Sequence, residues 1–137
     1  MASKYNLFIS HSWAYSNEYE GLIELLNKDD YFLYKNYSVP KNDPIHNAKN
    51  DKELREAIKR QMSSCHVVII LAGVYSSYSK WIDEEIQLAK TGFIVPKKII
   101  AVERFGSQRT SKKVKDNADV IVKWNSKSLI KAIKGEL

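Results

Sequence analysis

Apolar residues along this chain follow two alternating rhythms: short unbroken runs, and longer stretches where they recur every three or four positions. Leu7-Phe8-Ile9 predicts a short buried strand ending at Ser10-His11-Ser12. A helix is expected from about Ser16, with Glu18 and Glu20 favouring its positive N-terminal end and Tyr19, Leu22, Ile23 and Leu26 on one face. Tyr31 to Tyr34 predicts a second, weaker strand. Asn36 to Asn50 carries two of the three prolines and four asparagines, and reads as a long loop.

Asn50 with Glu53 resembles a capping box, followed by the helical stripe Leu54, Ala57, Ile58, Gln61 and Met62. Val67-Val68-Ile69-Ile70-Leu71 is the clearest strand, and a continuous β-branched run of this kind suits a parallel strand buried on both faces. Ser79 to Lys90 predicts a helix, Lys98 to Val102 a strand, and Lys112 to Asp116 a short helix after a loop holding Gly106. Asp119 to Val122 is the last strand. Ser126 to Gly135 is the last helix, with Leu129, Ile130 and Ile133 inward.

Strand–helix alternation repeated five times predicts an α/β fold with a parallel sheet and helices on both faces. For five strands the flavodoxin-like order 2-1-3-4-5 is expected, with a ligand crevice at the carboxyl ends of the first and third strands. Ser10-His11-Ser12 and Ala72-Gly73-Val74-Tyr75-Ser76 stand at those two ends, and the 79–90 helix begins directly after the second.

That helix carries a conflict. At about 100° per residue, Trp81, Ile82, Ile86, Leu88 and Ala89 form an apolar arc opposite Asp83, Glu84, Gln87 and Lys90. Glu85 falls inside the apolar arc, between Trp81 one turn before and Ala89 one turn after. A carboxylate there snorkels outward, meets a cation, or serves a site, because burying it uncompensated is expensive. Its coincidence with the expected crevice favours a site.

With 137 residues, the sequence spans a single domain, 1–137. No apolar run approaches the length needed to span a membrane, and the N-terminus reads without a secretory signal. Cys65 is the only cysteine, so no internal disulfide can form, and a reducing cytoplasm is the expected location. The net charge of +6 is concentrated at Lys97, Lys98, Arg104, Arg109, Lys112, Lys113 and Lys115. Without a recognition motif or interleaved aromatics, this stretch reads as solvated surface, and no nucleic-acid partner is expected.

Several chemistries are excluded. The five glycines form neither a Walker loop nor Gly-x-Gly-x-x-Gly. The acidic residues a phospho-receiver needs are missing, since Ser10-His11-Ser12 and Leu71-Ala72 stand at those positions. Cys65 and His66 are adjacent near a strand start and point to opposite faces, so Cys65 is expected to be a core thiol. His11, His46 and His66 share no metal-ligand spacing, and no metal is predicted. His11 could contact a ligand or hydrogen-bond its own loop; Trp81 could wall a pocket or simply pack.

One carboxylate is too few for a conventional glycosidase. It suffices where the leaving group needs no proton, as when nicotinamide departs neutral from NAD and the ribose becomes an oxocarbenium ion. A single desolvated carboxylate can hold the ribose hydroxyls and stabilise that cation.

These same residues carry a family resemblance. Phe8-Ile9-Ser10-His11-Ser12 resembles the first box of TIR (Toll/interleukin-1 receptor) domains, and Trp81-Ile82-Asp83-Glu84-Glu85-Ile86 resembles the Trp-x-x-x-Glu element of TIR domains that cleave NAD. Asn36-Tyr37-Ser38-Val39-Pro40, Asp43-Pro44-Ile45, Leu71 to Ser76 and Val122-Lys123-Trp124-Asn125 are similar to bacterial TIR-like domains of the Thoeris antiphage system. The resemblance implies an enzyme with NAD as substrate and no cofactor, which closes ADP-ribose into a cyclic signal for a separate NAD-depleting effector, ThsA. It implies that Glu85 is catalytic and that Phe8, Ser10, His11, Asn36, Tyr37 and Trp81 contact substrate.

The loop after the second strand lacks the Arg-Asp-x-x-Pro-Gly pattern of receptor TIR domains, so receptor-style assembly does not follow, and self-association stays open. Two alternatives remain. One is a non-catalytic TIR-type interaction module. The other is a nucleoside deoxyribosyltransferase-like enzyme using the glutamate as a covalent nucleophile.

Overall fold

The structure, a computed structural model, describes residues 5–9, 18–29, 32–37, 51–72, 79–103 and 112–136. Among them, five strands form one parallel sheet: β1 (Tyr5–Ile9), β2 (Tyr34–Asn36), β3 (Val67–Ala72), β4 (Lys98–Glu103) and β5 (Val120–Lys123). Their order is β2-β1-β3-β4-β5, with every neighbouring pair parallel. The helices are α1 (Glu18–Asn27), α2 (Asp51–Ser63), α3 (Ser79–Thr91), α4 (Lys112–Asn117) and α5 (Ser126–Lys134). This is the flavodoxin-like α/β arrangement that the alternation predicts.

Chain direction and hydrogen bonds separate the two faces. The sheet grows one way from β1 to β2 and the other way from β1 through β5, so right-handed crossovers put helices on opposite sides. α1 packs against α5, while α2 packs against α3 and α3 against α4. Lys98 belongs to the α1/α5 face, since its Nζ donates to the Ala132 carbonyl of α5 at 2.6 Å. Tyr34 does too, its hydroxyl donating to Asn27 Oδ1 of α1 at 2.9 Å.

Side chains alternate along a strand, so register extends the assignment across the sheet. Leu7 pairs with Val67 and Val67 with Lys98, placing all three beneath α1 and α5. Phe8, Val68 and Ile99, one residue on in each strand, lie beneath α2, α3 and α4. Both layers are apolar and buried over Val67, Val68, Ile69 and Ile70 of β3, which explains this β-branched run.

The second strand lies later than its apolar residues suggest: β2 is Tyr34–Asn36, not Tyr31 to Tyr34. Phe32 precedes it as an anchor. Its N–H donates to the Asp29 carbonyl at 3.1 Å, and its ring stacks on Tyr5 and Tyr34 with centroids 5.6 and 5.7 Å apart. Backbone pairing with β1 then falls on the polar residues that follow, which an edge strand tolerates. Asn36 accordingly belongs to β2 and not to the loop, and the Tyr37 N–H extends the pairing to the Leu7 carbonyl at 2.8 Å. The rest of the expected loop, 38–50, lies outside the described residues.

β5 begins one residue later than expected because Asp119 is an anchor. Its N–H donates to the Ile99 carbonyl at 2.8 Å, and its Oδ2 accepts from the Ile99 N–H at 2.7 Å. α5 is closed at both ends. Asn125 accepts from the Ser128 N–H, and Gly135, at φ 78°, adopts the left-handed conformation that ends a helix.

Cys65 is a core thiol, as expected, and His66 beside it is exposed. Burial raises the thiol from 9.0 to about 12, with nearby Lys97 pulling the other way. Because the folded value lies above the unfolded one, stability from the neutral thiol is complete below pH 9 and declines as pH rises towards about 12. In native protein at pH 8, an aromatic disulfide reagent should modify Cys65 at least about a hundredfold more slowly than in urea-unfolded chain. Equal rates would contradict its burial.

Phe32→Ala should cost about 3 kcal/mol of unfolding free energy in a urea titration, because it removes the anchor that sets β2 against β1. Unchanged stability would contradict that role.

Candidate active site

α3 follows β3 and returns antiparallel to it, so its N-terminal half stands near the carboxyl edge of the sheet. Glu85 lies six residues past Ser79, about 9 Å along the axis. The helical period that puts Ile86, Leu88 and Ala89 against the sheet carries Glu85 inward with them. All four are buried, Glu85 completely. Gln87 faces solvent, as the wheel predicts.

Outward snorkelling is therefore ruled out for Glu85. Its Oε2 lies wholly inside the protein and accepts no hydrogen bond among the described residues, while the residue is engaged elsewhere. A carboxylate removed from water gains strength in every electrostatic interaction it makes, because the surrounding dielectric is low. That suits stabilising a developing positive charge.

The other site residues named from the sequence separate in the structure. Phe8 shares the α2/α3/α4 face with Glu85 and is fully buried. Tyr37 is half-buried, and Lys35 Nζ lies 5.1 Å from the centroid of its ring. That contact puts Tyr37 on the side of Lys35, the register partner of Asn6, and so on the face of Phe8. Asn36 is exposed and pairs with Leu7, so it faces the α1/α5 side, away from Glu85. Trp81 sits on α3 one turn before Glu85, but its side chain lies outside the described residues, as do Ser10 and His11 entirely.

A second acidic residue at this edge was not singled out by sequence reasoning. Glu103 ends β4, next to Ala72 of β3, and is only 3% exposed. Among the described residues, Glu85 and Glu103 are the two buried charged side chains. Glu103 Oε1 accepts from Lys123 Nζ, at the end of β5, at 3.0 Å. The available signal was a charge closing the apolar run Ile99 to Val102.

The basic stretch forms no single patch among the described residues. Lys98 binds α5 and Lys97 reaches the Ser63 carbonyl at the amino edge, whereas Lys112 and Lys115 are exposed on α4. Two surface hollows lie away from Glu85. One of about 420 Å³ is lined by Glu56, Lys59, Arg60, Ser63 and Phe93 at the amino edge. One of about 350 Å³ lies between the end of α1 and α5.

Among the described residues, no helix is long and apolar enough to cross a membrane. No curated protein matches the chain at a significant level. A family model described as the TIR-like domain of the Thoeris protein ThsB matches residues 8–109. The match begins in β1, crosses the full length of β3, α3 and β4, and so includes Glu85. Spanning most of the 137 residues and agreeing with the sheet order, it establishes that the chain belongs to the TIR-like domain family of Thoeris ThsB proteins.

Proposed function

We propose that the chain cleaves the nicotinamide–ribose bond of NAD and closes the remaining ADP-ribose into a cyclic signal. The observation carrying this reading is the complete burial of Glu85 at the middle of α3, on the face of the sheet that also carries Phe8, within the segment matched to the family. A carboxylate held out of water in that position is suited to stabilising a cationic transition state.

In the reaction, the C1′–N bond breaks and its electron pair leaves with nicotinamide, which departs neutral. No general acid is required, so one carboxylate meets the chemical demand. Glu85 accepts hydrogen bonds from the ribose hydroxyls and stabilises the positive charge at C1′. Ring closure follows when a nucleophilic atom of the same ADP-ribose attacks C1′ in place of water, forming the new bond at C1′; a hydroxyl nucleophile releases its proton to solvent. Exclusion of water favours closure over hydrolysis. Membership of the Thoeris family supports an antiphage role in which the cyclic product activates the effector ThsA.

The test compares the wild-type chain and Glu85→Gln in phage-infected bacteria, with small molecules in filtered lysates analysed by mass spectrometry. A cyclic product with the mass of ADP-ribose less one water should accumulate with the wild type and fall at least about a hundredfold with Glu85→Gln. If both lysates match an empty-vector control across several phages, despite equal levels of folded protein, the reading fails. The chain would then be an interaction module.

A further inference from the structure

Glu103 and Lys123 are register partners at the ends of neighbouring parallel strands, so their side chains share a face. That face carries α3 and α4. Ile99, two strand periods before Glu103, fixes it there opposite Lys98, whose Nζ is held by α5. The pair therefore stands on the same side of the sheet as Glu85, at the carboxyl edge, one and two strands beyond β3, at whose end the crevice of this sheet order is expected.

The exposures of the two partners are unequal. The Glu103 side chain is 3% exposed and the Lys123 side chain 70%. As a stabilising device this is poor, because burying the carboxylate is costly and a mostly hydrated ammonium returns little. What the pair provides is a tethered cation. An ammonium has three donors; one is spent on Glu103, and the exposure of Lys123 leaves the others accessible to a ligand. Holding the side chain in place beforehand reduces the ordering cost of binding.

We propose that Lys123, positioned by Glu103, binds the pyrophosphate of the dinucleotide and makes the site select phosphorylated nicotinamide ribosides. The proposal rests on the NAD reading of Glu85. Neighbouring strands are about 4.8 Å apart, which puts the edge of β5 about 10 Å from that of β3. That span suits the phosphates of a ligand whose reacting ribose lies beneath α3, and not the ribose itself. Glu103 is a positioning residue: engaged by Lys123, it is not a second catalytic acid.

The test uses the full chain with Lys123→Met, Lys123→Arg and the double substitution Glu103→Gln/Lys123→Met, which leaves no buried carboxylate without its cation. ADP-ribose affinity is measured by calorimetry, and steady-state cleavage is measured with NAD and with nicotinamide riboside. Lys123→Met and the double variant should weaken ADP-ribose about five- to tenfold and raise KM for NAD by the same factor, leaving kcat within about twofold. Nicotinamide riboside cleavage should be unchanged, and Lys123→Arg should stay within about twofold of wild type.

ADP-ribose affinity unchanged in the folded double variant would overturn the proposal. So would an equal loss with both substrates, which marks a structural role, or no ADP-ribose binding by wild type at all. If ADP-ribose binding depends on Lys123 but no NAD is cleaved, the Glu85 reading fails and the anchor stands. If cleavage depends on Glu85 while the Lys123 variants keep their KM, the anchor alone falls.

Discussion

The inward stripe of α3 holds the Glu85 carboxylate out of water, and the proposed chemistry depends on that burial. The burial, costly for a charge, arises because α3 has a single inward stripe and Glu85 shares it with Ile86, Leu88 and Ala89. A helix cannot rotate one residue outward without exposing its neighbours. The apolar burial of those neighbours holds the carboxylate inside, so ordinary packing energy maintains an electrostatically expensive group. Under the proposed reaction, such a carboxylate would meet a cationic transition state without rearranging solvent around it.

The parallel sheet determines what this carboxylate can work with. Because all strands run the same way, their carboxyl ends gather at one edge, and register decides which side chains there share a face. Phe8, Tyr37, Glu103 and Lys123 fall on the side of Glu85, while Asn36 falls on the other. The amino edge has a different character. There Lys59 and Lys97 lie over the Phe93 ring, with the nearby hollow lined by Phe93 and α2 residues, at the opposite ends of the strands from Glu103 and Lys123.

Much of this was legible in the sequence, for identifiable physical reasons. The β-branched run of β3 and the helical stripes of α2 and α5 follow from burial on two faces and on one, so periodicity marked them. Glu85 was conspicuous because it breaks its own helix's pattern. β2 begins three residues later and ends two residues later than its pattern suggests, since Phe32 looks like strand but serves as an anchor, and the pairing residues Lys35 and Asn36 are polar. Glu103 passed unnoticed for a related reason. A single charge ending an apolar run looks like a strand terminus, and only the folded sheet shows it to be buried, with Lys123 as its partner. The opposite facing of Asn36 likewise depends on register, which no local pattern encodes.

A crystal structure of the Glu85→Gln chain with NAD bound would test the central claim most directly. The nicotinamide ribose should lie against α3, with its hydroxyls about 3 Å from the side chain at position 85. NAD lying in another hollow, or bound with the nicotinamide ribose turned away from α3, would contradict the claim.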